Sequence, residues 1–217
     1  MNKTTLTTLP AALALALTLG ACGGGDDPGP GPGPGPGPQP QPVVGPFITD
    51  CFTVNKSVTF ALASFNMPSN YVATNKSTIG LTTYNGEPVI GQTFFYPTGS
   101  TLYTVTNYWA VGSNDVTIIA SMDSKGTVTS DKIIYPKDML PEDTVMNASK
   151  TVYYKFVGFE KLILPKKTFS NSCHISATTA DGTVAGEAWY AAGYGMIKQV
   201  ESGTNATFQY DGDLPNP

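Results

Sequence analysis

Few residue types in this 217-residue chain could carry out chemistry. His174 is the one histidine, so a histidine-rich metal site is excluded, and a Ser-His-Asp triad would have to run through that residue. No G-x-S-x-G elbow, H-E-x-x-H helix or phosphate-binding glycine loop is present. A Cys-His pair could only be Cys173 with His174, and neighbours along a strand point to opposite faces. Two carboxylates at a set separation would suffice for glycoside hydrolysis. Glu87, Glu160, Glu187 and Glu201 are scattered along the chain, and their order does not pair them. Asp211-Gly212-Asp213 is too short to supply the oxygens of a calcium loop and reads as a C-terminal turn. The expectation is therefore a non-catalytic protein with no metal and no cofactor, in which His174 sits on the polar face of a strand.

The three cysteines have different settings. Cys22 closes the tetrapeptide Leu19-Gly20-Ala21-Cys22, which follows a charge-free Ala/Leu run from Leu9 to Leu19. Such a run suits a signal-peptide core and is too short for a bilayer core of about 30 Å, which takes about 20 apolar residues. A branched aliphatic residue, two small residues and a cysteine resemble the lipobox read by bacterial lipoprotein signal peptidase. That resemblance implies a signal peptide over residues 1–21 and lipid, palmitate included, on Cys22. An ordinary secretory signal with a chance cysteine is the alternative. Gly23 stands where Asp often marks inner-membrane retention, so the class implies the outer membrane of the cell envelope, with its periplasmic or outer side left open. Several acyl chains would hold the chain stably, whereas one holds only marginally.

Residues 22–45 form a linker between that cysteine and everything after it. Proline recurs at every second position from Pro28 to Pro42, mostly alternating with glycine. A period of two excludes collagen, which needs glycine at every third residue. Proline fixes φ and lacks an amide hydrogen, so the segment is expected to be a disordered, extended spacer. About twenty residues at about 3.1 Å each would reach roughly 60 Å.

Residues 46–217 remain as a single β-rich domain, long enough to bury a core. Formal charge is −4, and removal of residues 1–21 takes away Lys3 and leaves −5. All twelve basic residues are lysine. Bidentate phosphate recognition relies mainly on arginine, so no nucleic-acid partner is expected. The sequence leaves the oligomeric state open. In an oxidising compartment Cys51 and Cys173 read as a disulfide, worth about 4–5 kcal/mol for a loop of that size. Two unpaired buried thiols are the alternative.

Thr, Val, Ile, Tyr and Phe recur between turn signals about every ten residues, the pattern of an all-β protein. Candidate strands span 51–62, 77–84, 89–96, 101–111, 116–123, 127–135, 151–164, 168–179, 184–190, 195–201 and 206–210. Asn85-Gly86 is the strongest hairpin signal. Val116, Ile118, Ala120 and Met122 share one face, as do Val152, Tyr154 and Phe156, and Phe169, Cys173 and Ile175. Ser170, Ser172, His174 and Ser176 face the other way, towards water or a polar groove. Residues 138–148 are a weak helix candidate. The fold expected is an antiparallel meander forming a curved sheet or an open half-barrel.

Two segments carry a further likeness. Leu164-Pro165-Lys166-Lys167-Thr168-Phe169 with Cys173-His174-Ile175 is similar to V-P-A-G-x-F-x-x-C-x-V, departing at Lys167 where the pattern has glycine. Trp189-Tyr190-Ala191-Ala192-Gly193-Tyr194-Gly195-Met196-Ile197-Lys198 is similar to W-Y-A-x-G-x-G-x-V-K. Both patterns resemble those of envelope lipoproteins whose sheets are like the half-barrel of the LolA/LolB lipoprotein-carrier group. The resemblance covers about the last 65 residues and implies a concave face, which the carriers use for acyl chains. Trp189 and Tyr190 would point to opposite faces, and Gly193 and Gly195 suit a bend or bulge. These four residues form either a ligand-contacting motif or a turn the fold requires. The function expected is that of a membrane-anchored envelope lipoprotein binding an apolar ligand or an envelope protein. The alternatives are a structural or surface-interaction module on a long tether, and third a glycan- or lipid-acting envelope enzyme.

Overall fold

Asn85 and Gly86 adopt φ of 53° and 84°, the pair of left-handed residues that a tight two-residue hairpin requires. They reverse the chain between β2 (Lys76–Tyr84) and β3 (Glu87–Thr98), whose ladder runs without a break from Lys76↔Phe95 to Tyr84↔Glu87. The computed structural model describes residues 46–67, 75–98 and 101–215. The expected signal segment, the expected lipid-bearing Cys22 and the Pro/Gly run lie outside the described residues.

The remaining elements are α1 (Ile48–Cys51), β1 (Val58–Phe65), β4 (Thr101–Val111), β5 (Asp115–Asp123), β6 (Val128–Thr129), β7 (Ile133–Pro136), β8 (Thr144–Met146), β9 (Val152–Leu164), β10 (Lys167–Thr179), β11 (Val184–Ala191), β12 (Gly195–Glu201) and β13 (Thr207–Leu214). All pairings are antiparallel, in the order β6-β5-β4-β3-β2-β1-β13-β12-β11-β10-β9-β8, with β7 on β5. The first and last strands therefore lie side by side at the middle, and two meandering arms run outward from them. Register shifts interrupt five of the ladders, including β9–β10 twice, and such bulges bend a sheet. The fold is all-β, and the curved sheet is not closed.

Where the two arms approach, a single bridge joins Ile133 to Asn147. A polar latch surrounds it. Asp131 accepts from the Ser149 N–H at 2.9 Å and from the Asn147 amide, and Asn147 Oδ1 accepts from the N–H groups of Thr151 and Val152. Inside the curve lies the core, with Phe52, Phe60, Phe94, Trp109, Phe156 and Ile197 among its buried residues.

Local sequence misleads at several places. The strand expected from Cys51 begins only at Val58, and Cys51 lies in the helical turn α1. Asp50 Oδ2 accepts the Phe47 N–H at 2.8 Å and the Thr53 hydroxyl donates to Thr49 O at 3.1 Å, so local bonds satisfy the turn. Residues 127–135 break into β6 and β7, because the Asp131 between them is committed to Ser149 and Asn147. Turns and the short β8 occupy 138–148 in place of a helix. Asp211-Gly212-Asp213 lies within β13, where a register shift against β1 accommodates Gly212 at φ 118°.

Candidate functional site

The segment leading into β1 packs beneath the aromatic lining of a cavity, as the layer under its floor. Ile48, Cys51 and Phe52 are buried, and the Cys51–Cys173 disulfide ties α1 to β10 across a Cα separation of 6.0 Å. The expected pairing is thus present. Phe52 carries three rings above it: Tyr190 at 4.5 Å, Tyr135 at 5.8 Å and Trp109 at 6.2 Å. The Trp109 indole donates to the Phe52 carbonyl at 3.0 Å, which fixes both.

Above this floor the sheet curves around a cavity of about 320 Å³ that is open at one end. Trp109, Ile133, Tyr135, Tyr154, Ile175 and Tyr190 form its walls, contributed by β4, β7, β9, β10 and β11. Both arms of the meander therefore line one space. At the floor end, Gln92, Trp109, Tyr135 and Ile175 are almost fully buried, whereas Asn107, Ala177 and Gln199 are half-buried and Ala185 is exposed. That gradient places the mouth beside the β10–β11 hairpin. Tyr135 and Tyr154 meet edge to face at 6.3 Å. Burial pushes the Tyr190 phenol well above its ordinary value, with Tyr154 adding to the effect. Burial raises Tyr135 and Tyr154 as well, helped at Tyr135 by Tyr190 and Tyr154 and at Tyr154 by Asp131.

Gln92 is bonded on both ends of its amide. It donates to Ser77 Oγ at 3.1 Å and Met196 O at 2.9 Å, and accepts the Met196 N–H at 2.8 Å. This clamp explains Gly195, whose φ is 61° and where a Cβ would fall 2.6 Å from both Gln92 Oε1 and Ile79 Cδ1. Gly193, at φ 79°, belongs to the preceding turn and donates its N–H to Thr53 O at 2.8 Å. The two glycines are structural, shaping the turn and its close approach to the core. Tyr190 lies on the cavity side.

Trp189 lies on the opposite, outer face. There His174 stacks on Trp189 with centroids 4.2 Å apart, and Lys198 Nζ sits 4.3 Å from the indole on the neighbouring strand. The Trp189 indole donates to Glu160. His174 Nδ1 is 3.8 Å from Glu160 Oε1 and Nε2 is 3.7 Å from Glu187 Oε2. The fold thus brings together two of the four scattered glutamates around an imidazole, and Glu187, which also borders the cavity, turns its carboxylate to that imidazole. Among the described residues no hydroxyl or thiol bonds His174, and Cys173 beside it is in the disulfide. Ser172 departs from expectation: the register shift between Phe169 and Ser172 takes it out of the exposed row, and its hydroxyl is buried without a partner.

Sequence reasoning found Tyr190 and missed Phe52, Gln92, Trp109 and Tyr135 as parts of one site. Gln92 alone carried a signal, as a lone amide among the apolar and aromatic residues of its strand. No family model, curated protein or solved structure matches this chain.

Proposed function

We propose that this chain is a lipid-anchored, non-catalytic envelope protein whose β-domain holds a small, largely apolar ligand. The cavity of about 320 Å³ carries the reading. Its volume lies at the lower end of the range for small-molecule sites, and its walls are mostly aliphatic and aromatic with a few polar groups. That space equals roughly ten water volumes, which favours a compact molecule over the long acyl chains that the carrier resemblance implies. The anchor reading rests on Leu19-Gly20-Ala21-Cys22, and the outer-membrane location on Gly23.

Solvent extraction of the purified protein followed by mass spectrometry tests the ligand. Ala188 lines the cavity, and Ala188→Trp would fill it. The unaltered protein is expected to release a small apolar molecule in stoichiometric amount and the variant to release none. Equal release from both, or none from either, defeats the reading. Labelled palmitate is expected on the chain and lost in Cys22→Ser.

The period-two proline run supports a second reading, an interaction module carried at the end of a spacer. Shortening residues 28–42 is expected to abolish activity under that reading and to leave a ligand-holding domain intact.

A further inference from the structure

The cavity contains more hydrogen-bonding capacity than the protein uses. Tyr135, Tyr154 and Tyr190 arrive from β7, β9 and β11, three strands of which no two are paired with each other. Tyr135 and Tyr190 stand on Phe52, and Tyr154 meets Tyr135 edge to face. Among the described residues none of their hydroxyls has a protein hydrogen-bond partner, and none is sealed away from the open space. The other deep polar groups are satisfied: Gln92 by Ser77 and Met196, the Trp109 indole by Phe52. Asn107 and Gln199 sit at the half-buried mouth.

The lining also carries little charge. It contains no lysine and no histidine, and its one acid, Glu187, directs its carboxylate to His174 on the outer face. The phenols stay protonated because burial raises them. An ion entering this space would lose its water with no countercharge to meet it. A pure hydrocarbon would keep the hydroxyls from water and leave them unpaired.

We infer that the ligand is an uncharged, compact molecule bearing a hydrogen-bond acceptor such as a carbonyl, received by the converging hydroxyls of Tyr135, Tyr154 and Tyr190. The inference rests on the cavity being a ligand site. It narrows the ligand from apolar molecules in general to neutral, acceptor-bearing ones.

The chain has two tryptophans, one on the cavity wall and one on the outer face. Their indole N–H resonances provide a reporter, Trp109, and an internal control, Trp189. The full chain carrying Cys22→Ser is titrated separately with cyclohexanone, methylcyclohexane, cyclohexanecarboxylate and tetramethylammonium. Cyclohexanone is expected to move the Trp109 resonance and leave Trp189 in place. Tyr135→Phe/Tyr154→Phe/Tyr190→Phe removes no protein hydrogen bond, and unchanged Trp189 dispersion shows that it folds. It should weaken cyclohexanone about tenfold, the loss expected for one hydrogen bond in a buried site, and leave methylcyclohexane unaffected. Tyr154→Phe alone gives the same direction from a less buried position. Methylcyclohexane binding as tightly as the ketone, or a triple variant that binds the ketone undiminished, overturns the acceptor inference while the cavity remains a ligand site. Tighter binding of either ion overturns it too. If no probe moves Trp109, the cavity reading falls with it.

Discussion

Strands β10 and β11 present two faces built from adjacent residues, and the faces treat charge in opposite ways. Ile175 and Tyr190 look into the cavity, while their neighbours His174 and Trp189 look outward. Outside, the charged groups Glu160, Glu187 and Lys198 surround the aromatic pair, and His174 Nε2 is buried among them without a hydrogen-bond partner. Inside, the polar groups are neutral dipoles, and each is either bonded to protein or open to the cavity. A single substitution on one face should therefore read out differently from one on the other, although the two backbones are contiguous.

The largest expected effect tests the floor of the inner face. Cys51→Ser opens a crosslink between residues 122 apart in sequence. It should cost about 4–5 kcal/mol in denaturant unfolding and shift the Trp109 indole resonance while Trp189 holds. Loss of both signals together would show that the faces are not separable. Next is Gly195→Ala, which forces a left-handed φ on an L-residue and drives a Cβ into the Gln92 clamp. About 2–4 kcal/mol is expected from strain plus overpacking, measured in the same way. On the outer face, His174→Ala removes a stacked ring and should cost only about 1 kcal/mol. Cyclohexanone affinity should stay unchanged; a fall would mean that the imidazole supports the inner wall.

The smallest effect concerns the latch beside Ile133, a cavity residue. Asp131 is half-buried, and the Ser149 hydroxyl and N–H, with Asn147, hold its carboxyl below the ordinary value. A carboxyl depressed on folding stabilises the native state above its unfolded value, near 4, and loses that contribution as pH falls through the lower folded value. Acid titration followed by hydrogen exchange at Val152 should show protection fading below pH of about 4, and Asp131→Asn should remove that pH dependence. Identical acid profiles with and without the carboxyl would rule the latch out.

Much of the framework could be read directly. Alternation in 116–122, the Asn85-Gly86 turn and the paired Cys51 and Cys173 each encode their own local outcome. Bulges do not, because they depend on what the partner strand does. The shift between Trp189 and Tyr190 against β12, and that between Phe169 and Ser172 against β9, arise from pairing rather than from their own residues. The cavity was still less legible. Tyr135, Tyr154 and Tyr190 look in sequence like ordinary strand tyrosines, and only the meeting of two arms makes them a site. Phe52 follows the same logic: a residue expected in the first strand supports the cavity's aromatic lining from behind because Asp50 caps a turn just before it.

The crosslink from α1 to β10 also has a mechanical meaning. The described residues begin just before α1, so a pull on the proposed lipid tether arrives at Phe47 and reaches Cys51 a few residues later. From there the disulfide diverts the load to Cys173, on a strand with hydrogen-bonded neighbours on both sides. Tension is spread over two antiparallel ladders in place of unzipping an edge. Phe52 lies just beyond the diversion point, so the aromatic rings packed on it are shielded from such a pull.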